Sequence, residues 1–391
     1  MNFAWSEEQD AFRASVRRFL AERWPVAEVR RLSATERGYD PVIWRQLAGD
    51  TAPGSAGALP RGRSRLPGLG LAGLAVPEAY GGQGFSMLEL SIALDELGRE
   101  LAGGPFFATA CLSVLALRNV ATPAEQAAQL PALAAGETIA TLAVLDAPGP
   151  PRADAIACVA PSGRLSGTKR FVVDAQNAGL LLVAAREPGS RGEAGVGLYA
   201  LDANAPGVRI EAAAGLDLTR KLAHVELDAA PARRLGAAGS AWPGLARTLA
   251  EGAIGLAAEQ IGAASRCLEL AVAHARERVQ FGRPIGSFQA VKHRAVDALT
   301  LLELARSAAW WAAWVASRPG EDLREAAAIA HSTACAAFWK SAYECIHLHG
   351  GMGFTWEHDA HLFYRRARAD RILFGDPAAH DERLAEVLGL V

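Results

Sequence analysis

Two glycine-rich stretches carry the residue types that would hold an anionic cofactor. Residues 278–289 read Arg-Val-Gln-Phe-Gly-Arg-Pro-Ile-Gly-Ser-Phe-Gln, and residues 347–355 read His-Leu-His-Gly-Gly-Met-Gly-Phe-Thr. The forked guanidinium of Arg278 suits a pyrophosphate, and the glycines of the second stretch let the backbone approach a ligand closely. Each stretch alone is explained equally well by the ordinary end of a helix. The two together predict a site for an anionic cofactor.

A catalytic base is harder to identify from the residues. The candidate acids of the C-terminal half are Glu251, Glu259, Glu269, Glu344, Asp370 and Asp376. Glu251 is preferred because Gly252 and Gly255 lie beside it and leave room for a ligand. The alternative is an ordinary acid in the first turns of a helix, where a negative charge complements the helix dipole.

Two other groups of residues are interpreted as structural. Trp310, Trp311 and Trp314 cluster on one predicted helix, where packing against the core or another subunit is favoured over a stacking platform for a base or flavin. His347 and His349 precede the glycines, but neither a carboxylate nor a cysteine completes a ligand set. No metal site is therefore predicted.

Bulk properties exclude several classes of protein. The chain has 391 residues, of which 51% are hydrophobic, and a net charge of −2, so nothing attracts it to nucleic acid or an anionic membrane. Five scattered cysteines form no Cys-x-x-Cys pair, which argues against a disulfide framework and favours a reducing, cytoplasmic setting. The acidic N-terminus is unlike a signal peptide, and no uncharged run is long enough to span a bilayer.

The hydrophobic pattern predicts a mainly α protein with a central β domain. Helical patterns fill residues 1–135 and 241–391, and short β-like runs separated by turn residues fill residues 136–240. The predicted strands are Ile139–Val144, Ala155–Val159, Thr168–Val173, Leu180–Ala185, Val196–Leu201 and Leu222–Leu227. These boundaries predict an α-helical N-terminal domain, a β-barrel middle domain and a C-terminal helical bundle. The segment Asp50–Gly68, with Arg61, Arg63 and Arg65, is predicted to be a surface loop.

The chain resembles the acyl-CoA dehydrogenase family over nearly its whole length. Besides the two glycine-rich stretches, the resemblance includes residues 76–84, Val-Pro-Glu-Ala-Tyr-Gly-Gly-Gln-Gly, and residues 167–169, Gly-Thr-Lys. It implies an α-helical N-terminal domain, a β-barrel and a C-terminal four-helix bundle, usually in a tetramer, with FAD between the last two. It also implies that seven residues hold FAD: Arg278, Phe281, Gln289, His347, Gly350, Gly351 and Gly353. The first three match positions that hold the FAD of a neighbouring subunit.

The reaction implied by this resemblance is the α,β-desaturation of an acyl-CoA or acyl-carrier thioester. A carboxylate removes the α-proton and the β-hydrogen leaves as hydride to the flavin. The electrons then pass to an electron-transfer flavoprotein or a similar acceptor. The base needs a pKa raised by apolar surroundings because the α-proton is weakly acidic.

Several residues depart from the family pattern. Phe374 stands where many members have the catalytic glutamate, and Gly252 occupies the other position used for it. Glu251 is one residue away from Gly252, which on a helix is a rotation of about 100°. In the middle domain, residues 145–150 replace the usual flavin loop with Leu-Asp-Ala-Pro-Gly-Pro, and Val173 lacks the usual hydroxyl.

Three interpretations therefore stay open. The first is an FAD-dependent acyl-thioester dehydrogenase that acts alone with Glu251 as its base. The second is a non-catalytic subunit of a hetero-oligomeric dehydrogenase that shares FAD with a sister chain. The third is a flavin monooxygenase or oxidase on the same fold, since one fold supports several chemistries.

Overall fold

The computed structural model describes residues 5–49 and 68–390, and its first part is helical. The helices before the first strand are α1 (Glu7–Arg23), α2 (Val26–Ser33), α3 (Pro41–Ala48), α4 (Met87–Arg99), α5 (Val114–Val120) and α6 (Pro123–Ala134). Ser6 and Gln9 form a capping box at the start of α1, because the side chain of each accepts from the other's backbone amide. Asp40 caps α3 by accepting from the amide of Val42. The predicted arginine-containing loop lies outside the described residues, apart from Gly68.

A π-helical segment, Phe107–Ser113, leads into α5. The sequence predicts an ordinary helix from Ala108 to Leu117, but the wider register is visible in Ser113, whose hydroxyl donates to the carbonyl of Ala108 five residues earlier. All seven side chains of the segment are buried. The segment packs against α7 and so helps to form the active-site region.

Two small sheets lie between the helical regions. The strands are β1 (Ala140–Ala143), β2 (Arg164–Val173), β3 (Leu180–Arg186), β4 (Val196–Asp202), β5 (Val208–Ala213), β6 (Leu222–Pro231) and β7 (Arg233–Leu235). One sheet has the order β1-β3-β4-β7, in which β1 and β3 are parallel, and the other has the order β2-β6-β5. The strand predicted at Ala155–Val159 is wrong, because the amides of Ala157 and Cys158 donate to the Asp146 carboxylate instead of a strand.

Long helices form the C-terminal part of the chain. They are α7 (Trp242–Glu277), α8 (Gln289–Ala316), α9 (Arg324–His349), α10 (Ala360–Asp370) and α11 (Pro377–Val387), and a two-residue hairpin, β8 (Val279–Gln280) with β9 (Arg283–Pro284), joins α7 to α8. α7 packs against α4, α8 and α9. Where α4 and α7 meet, a Cβ on Gly262 would lie 1.8 Å from the carbonyl oxygen of Asp95, so only glycine permits this approach.

A buried ionic network joins α7 and α10 to the segment that leads into β6. The guanidinium of Arg366 on α10 bonds Glu259 on α7 and also Asp217, and it donates to the Thr219 hydroxyl. Arg220 donates to the same Glu259 carboxylate at 2.7 Å. Removing one partner from such a network leaves an uncompensated buried charge, which typically costs about 3–5 kcal/mol.

The described residues also bear on the class of protein. None of their helices combines the length and the apolar character needed to cross a membrane. The five cysteines are buried and free.

Candidate cofactor surface and active-site region

The first cofactor motif forms an exposed hairpin at the end of α7. Its turn residues Phe281 and Gly282 have φ values of 53° and 77°, the left-handed pair that a two-residue type I′ turn requires. The Phe281 ring is 91% exposed. Arg278, which ends α7, is exposed and forms no ion pair with any residue that the structure describes. The hairpin therefore presents a free cation and an uncovered aromatic ring.

The second motif is the turn that follows α9. Gly350 has φ 61° and ψ −140°, a conformation that essentially only glycine adopts. A Cβ on Gly353 would stand 2.9 Å from the Ile346 carbonyl oxygen, so packing explains that glycine. Gly351 has no positive φ, and no atom of the described residues would lie within 4 Å of a Cβ there. Close approach by a bound group would explain a glycine at this position.

Three neighbouring histidine rings connect the end of α7, beside the first motif, with the second motif at the end of α9. The ring of His349, at the end of α9, lies 4.2 Å from that of His274 on α7 and 4.2 Å from that of His358. Burial lowers the pKa of His274 and of His358. Burial also opposes the charge on His349, but its bonds to the thiol and carbonyl of Cys345 raise its pKa overall. The surroundings of the middle ring, next to the glycine pair, therefore favour its protonation more than those of the two outer rings do.

The remaining predicted cofactor residues lie on the same part of the molecule. Gln289 is the first residue of α8 and is exposed, and the ring of His347 stacks on Tyr343. An unpaired guanidinium, a carboxamide and a glycine pair with open space form a donor set that fits the diphosphate of FAD.

The two positions at which the family resemblance implies a catalytic carboxylate face each other. Gly252 lies on α7, and Phe374 lies in the turn between α10 and α11. A Cβ on Gly252 would stand 3.4 Å from the tip of the Phe374 ring and 2.8 Å from a methyl group of Leu112. Phe374 is buried, and its ring lies 6.0 Å from that of Phe107. The place for a catalytic base is therefore lined by apolar side chains.

Glu251 points elsewhere and is already bonded. Asn119 on α5 donates to its carboxylate at 2.8 Å, and Arg247 donates to it at 3.1 Å. Burial raises the pKa of Glu251, although both partners oppose the shift. A raised pKa suits a base, but the contact with Asn119 holds the carboxylate toward α5 and not over Gly252.

The glycines beside Glu251 do not leave room for a ligand, contrary to the sequence-based expectation. The π-helical segment packs directly on them. A Cβ on Gly255 would stand 2.8 Å from the sulfur of Cys111, just as one on Gly252 meets Leu112 at 2.8 Å. The glycines permit close packing between α7 and this segment.

A small apolar cavity adjoins Phe374 at the β region. Its volume is about 40 Å³, enough for a few water molecules at about 10–15 Å³ each. It is lined by Leu112, Leu142, Val144, Leu145, Pro151, Arg170, Phe171, Val172, Val173, Leu249, Leu373 and Phe374. The cavity is too small for a flavin ring, and Arg170 is the only residue of this lining with a hydrogen-bonding side chain.

A buried ion pair holds the loop beside this cavity. Lys169 on β2 is fully buried and donates to the Asp146 carboxylate at 2.8 Å and to the Val144 carbonyl at 2.9 Å. Asp146 is one of the residues that replace the family's flavin loop. Its carboxylate is fully used by Lys169 and by the amides of Ala157 and Cys158.

The tryptophan cluster packs as predicted. Trp310 lies edge-on against Trp5 at 4.4 Å, and Trp311 and Trp314 pack against the main core. The part of the chain that the structure describes holds no group of side chains suited to a metal ion.

Sequence reasoning missed four histidines near the site. His274 and His358 complete the stack around His349, and His331 and His380 pack against each other at 4.2 Å beside Phe374. No short spacing connects these residues in the sequence. Only the predicted packing of α7, α9 and α11 could have placed them together.

Comparisons with known proteins agree with this architecture. The family model described as acyl-CoA dehydrogenase, N-terminal domain, matches residues 57–137, and the one described as acyl-CoA dehydrogenase, C-terminal domain, matches residues 241–389. The chain is 35% identical to acyl-CoA dehydrogenase IpdE2 of Mycobacterium tuberculosis, over 95% of this chain and 94% of that protein.

Two solved structures extend the comparison. The Tcur3481-Tcur3483 steroid ACAD has a TM-score of 0.83 at 31% identity and covers 98% of each chain. The ChsE4-ChsE5 complex from Mycobacterium tuberculosis has a TM-score of 0.84 at 26% identity and covers 100% of each chain.

Proposed function

The chain belongs to the acyl-CoA dehydrogenase family and takes part in FAD-dependent dehydrogenation of an acyl-CoA, and we propose that it does so as the cofactor-sharing subunit of a hetero-oligomer. In this proposal the flavin ring and the catalytic carboxylate belong to a sister chain. The observation that carries it is the apolar contact between Gly252 and Phe374. Both positions that could hold the base lack a carboxylate, and neither has space for a substrate.

The surface around the two glycine-rich motifs would hold the diphosphate part of the shared FAD. The proposed contacts are Arg278, Phe281, Gln289, His347, Gly350, Gly351 and Gly353. Arg278 supplies a fixed charge, and the glycine pair lets the backbone approach. When bound, FAD supplies the hydride acceptor of the desaturation.

Exposed apolar side chains around this surface support a partner subunit. Phe281 is accompanied by Met352, Phe354 and Trp356, and Phe354 is 80% exposed. Such a patch marks an interaction site more often than a free surface. Two of the similar structures are named as two-component assemblies, ChsE4-ChsE5 and Tcur3481-Tcur3483. A hetero-tetramer that passes electrons to an electron-transfer flavoprotein or similar acceptor is consistent with this arrangement.

A second candidate is a dehydrogenase that acts alone with Glu251 as base. The raised pKa of this buried carboxyl favours it, whereas its bonds to Asn119 and Arg247 do not. The third interpretation, a monooxygenase or oxidase, would be favoured by an open polar pocket, and the cavity next to Phe374 is small and mostly apolar. We also propose that the α-helical N-terminal domain ends at residue 135 and that the middle domain ends at residue 240.

Flavin stoichiometry tests the proposal directly. The chain is purified alone and after co-expression with a sister chain that has a carboxylate at one of the two base positions. We expect no bound FAD in the chain alone and one FAD per pair of chains in the complex, measured by flavin absorbance. One FAD per chain in the protein alone, bleached anaerobically by an acyl-CoA, would contradict cofactor sharing.

A matched pair of arginine variants locates the surface. Arg278→Gln removes the unpaired cation and should weaken FAD retention in the complex. Arg283→Gln, in the same hairpin, removes a guanidinium that already packs on the Phe288 ring at 4.1 Å. If the two variants lose FAD equally, the assignment of Arg278 to the diphosphate is wrong.

A further inference from the structure

Phe374 is held in a conformation that its backbone disfavours. Its φ is 66°, a left-handed value that is rare for an aromatic residue, and Gly375 follows with φ 104°. A non-glycine residue in this region persists only where its surroundings fix it. The buried ring over Gly252 is therefore maintained by contacts elsewhere in the turn.

Two buried histidines provide those contacts. His380 on α11 approaches the Phe374 carbonyl oxygen through Nε2 at 3.2 Å, and a carbonyl can only accept, so Nε2 carries the proton. The His331 ring on α9 lies 4.2 Å from the His380 ring, and its Nε2 is 3.5 Å from the sulfur of Cys335. The exposed fractions of His331 and His380 are only 0% and 1%.

α11, which carries His380, packs against α9. The carboxylate of Asp376 caps α11 by accepting from the amide of Ala379 at 2.9 Å. Ser332 on α9 donates to the Asp381 carboxylate at 2.8 Å. His331 and His380 therefore lie on two helices that contact each other.

We propose that His331 and His380 are positioning residues that hold Phe374 as a plug over Gly252, which closes this subunit to a flavin ring and an acyl chain. Because the plug closes this subunit, the dehydrogenation takes place in the sister chain, and in this respect the inference rests on the proposed function. The role of Phe374 in this proposal is steric. It requires a hydrogen-bond donor at position 380 and an aromatic ring at position 374.

Both imidazoles work in the neutral state. Burial lowers the pKa of His331 to about 3 and that of His380 to about 4. The His380 ring further disfavours a charge on His331. Arg383 also faces both rings and lowers their pKa values, while Asp376 and Asp381 act in the opposite direction on His380. The plug is therefore expected to stay closed at neutral pH.

Native cysteines report on the plug and its support. Cys335 is next to His331, and Cys111 packs against Gly255, one helical turn from Gly252. Cys158 lies in the separate core of the β region and serves as a reference. We would alkylate the purified chain with iodoacetamide and follow each cysteine by peptide mass spectrometry.

Two variants at position 380 separate the hydrogen bond from the volume of the side chain. His380→Leu leaves the buried carbonyl unpaired, and alkylation of Cys335 and Cys111 should rise by about tenfold or more. In His380→Gln the amide nitrogen can replace the Nε2 donor, so both rates should stay within about twofold of the natural protein. Equal rates in the two variants, or a parallel rise at Cys158, would overturn the proposal.

Phe374→Gly tests the plug without touching the histidines. Glycine accepts the left-handed φ, so the turn can persist while the ring is lost. We expect Cys111 to become reactive and Cys335 to stay protected. If Cys111 stays protected, the ring is not the plug. These measurements use the chain without FAD or a sister chain, so they can fail while cofactor sharing holds, and the reverse.

Discussion

Replacing single glycines after α9 should separate cofactor binding from folding. Gly351→Ala is the informative change, because the new methyl group would meet no atom of residues 5–49 and 68–390 within 4 Å and Gly351 has no positive φ. The free energy of unfolding of the chain should therefore change by less than about 0.5 kcal/mol. If the diphosphate of FAD approaches the backbone here, the methyl group has to displace it.

The size of the binding effect follows from ordinary overpacking. Forcing a methyl group into a filled contact typically costs about 1–3 kcal/mol, which corresponds to about 5- to 140-fold in affinity. We would measure FAD affinity of the complex with a sister chain by fluorescence titration, and the stability of the chain alone by urea unfolding. The expected result is weaker FAD binding at unchanged stability.

Gly353→Ala is the matched control. Its methyl group would lie 2.9 Å from both the Ile346 carbonyl oxygen and the Cβ of His349, so it should lower the stability of the chain by about 1–3 kcal/mol. Unchanged FAD affinity in Gly351→Ala would refute the claim that this glycine serves the cofactor. A large loss of stability in that variant would refute our description of the open space around it.

Two further predictions concern Glu251 and the histidine pair. Glu251→Gln in the complex should change the rate of acyl-CoA dehydrogenation by less than about tenfold, whereas loss of a true base typically costs about 10²- to 10⁴-fold; a loss in that range would restore Glu251 as the base. Burial lowers the pKa of His380 to about 4. As the pH falls from 6.5 to 4, His380 therefore binds a proton in the unfolded chain but not in the folded chain. Stability from this group is present above pH 6.5 and is lost toward pH 4, by about 1.4 kcal/mol per pH unit. Burial raises the pKa values of Asp95 and Asp174 to about 6, and these two groups change the stability in the opposite direction. The contribution of His380 is therefore measured as the difference between a His380 variant and the natural protein. Relative to the natural protein, His380→Gln should gain about that amount per pH unit in urea unfolding between pH 6.5 and 4.5; a difference that does not depend on pH would contradict the assignment.

Much of the fold could be predicted from local pattern, because caps and hydrophobic periodicity are written in neighbouring residues. Ser6 with Gln9, Asp40 before Pro41, and the long helices after Trp242 were all predictable in this way. The π-helical segment was not, since nothing in its composition separates it from an α-helix. The strand at Ala155–Val159 failed because the distant Asp146 carboxylate takes the amides that a strand would need.

Residues proposed for the cofactor surface can be selected from the sequence more readily than those of the apolar region around Gly252. Arg278 and Gly351 are selected by residue type, because a cation and a glycine suit a phosphate at a surface. The sequence identifies Gly252 and Phe374 as departures from the family, but it cannot show that they touch. Whether a glycine leaves a space depends on what packs there, and here Leu112 and Cys111 close it.

The buried network around Arg366 has a consequence for the order of events during synthesis. Asp217 and Glu259 are made long before Arg366, which supplies the charge that both of them bond in the folded chain. Until α10 has left the ribosome, Asp217 lacks its cationic partner and Glu259 has only Arg220, so the segment before β6 and the middle of α7 cannot complete their buried ion pairs. Nascent chains that stop before residue 366 are therefore expected to leave this part of the fold incompletely packed and accessible to chaperones.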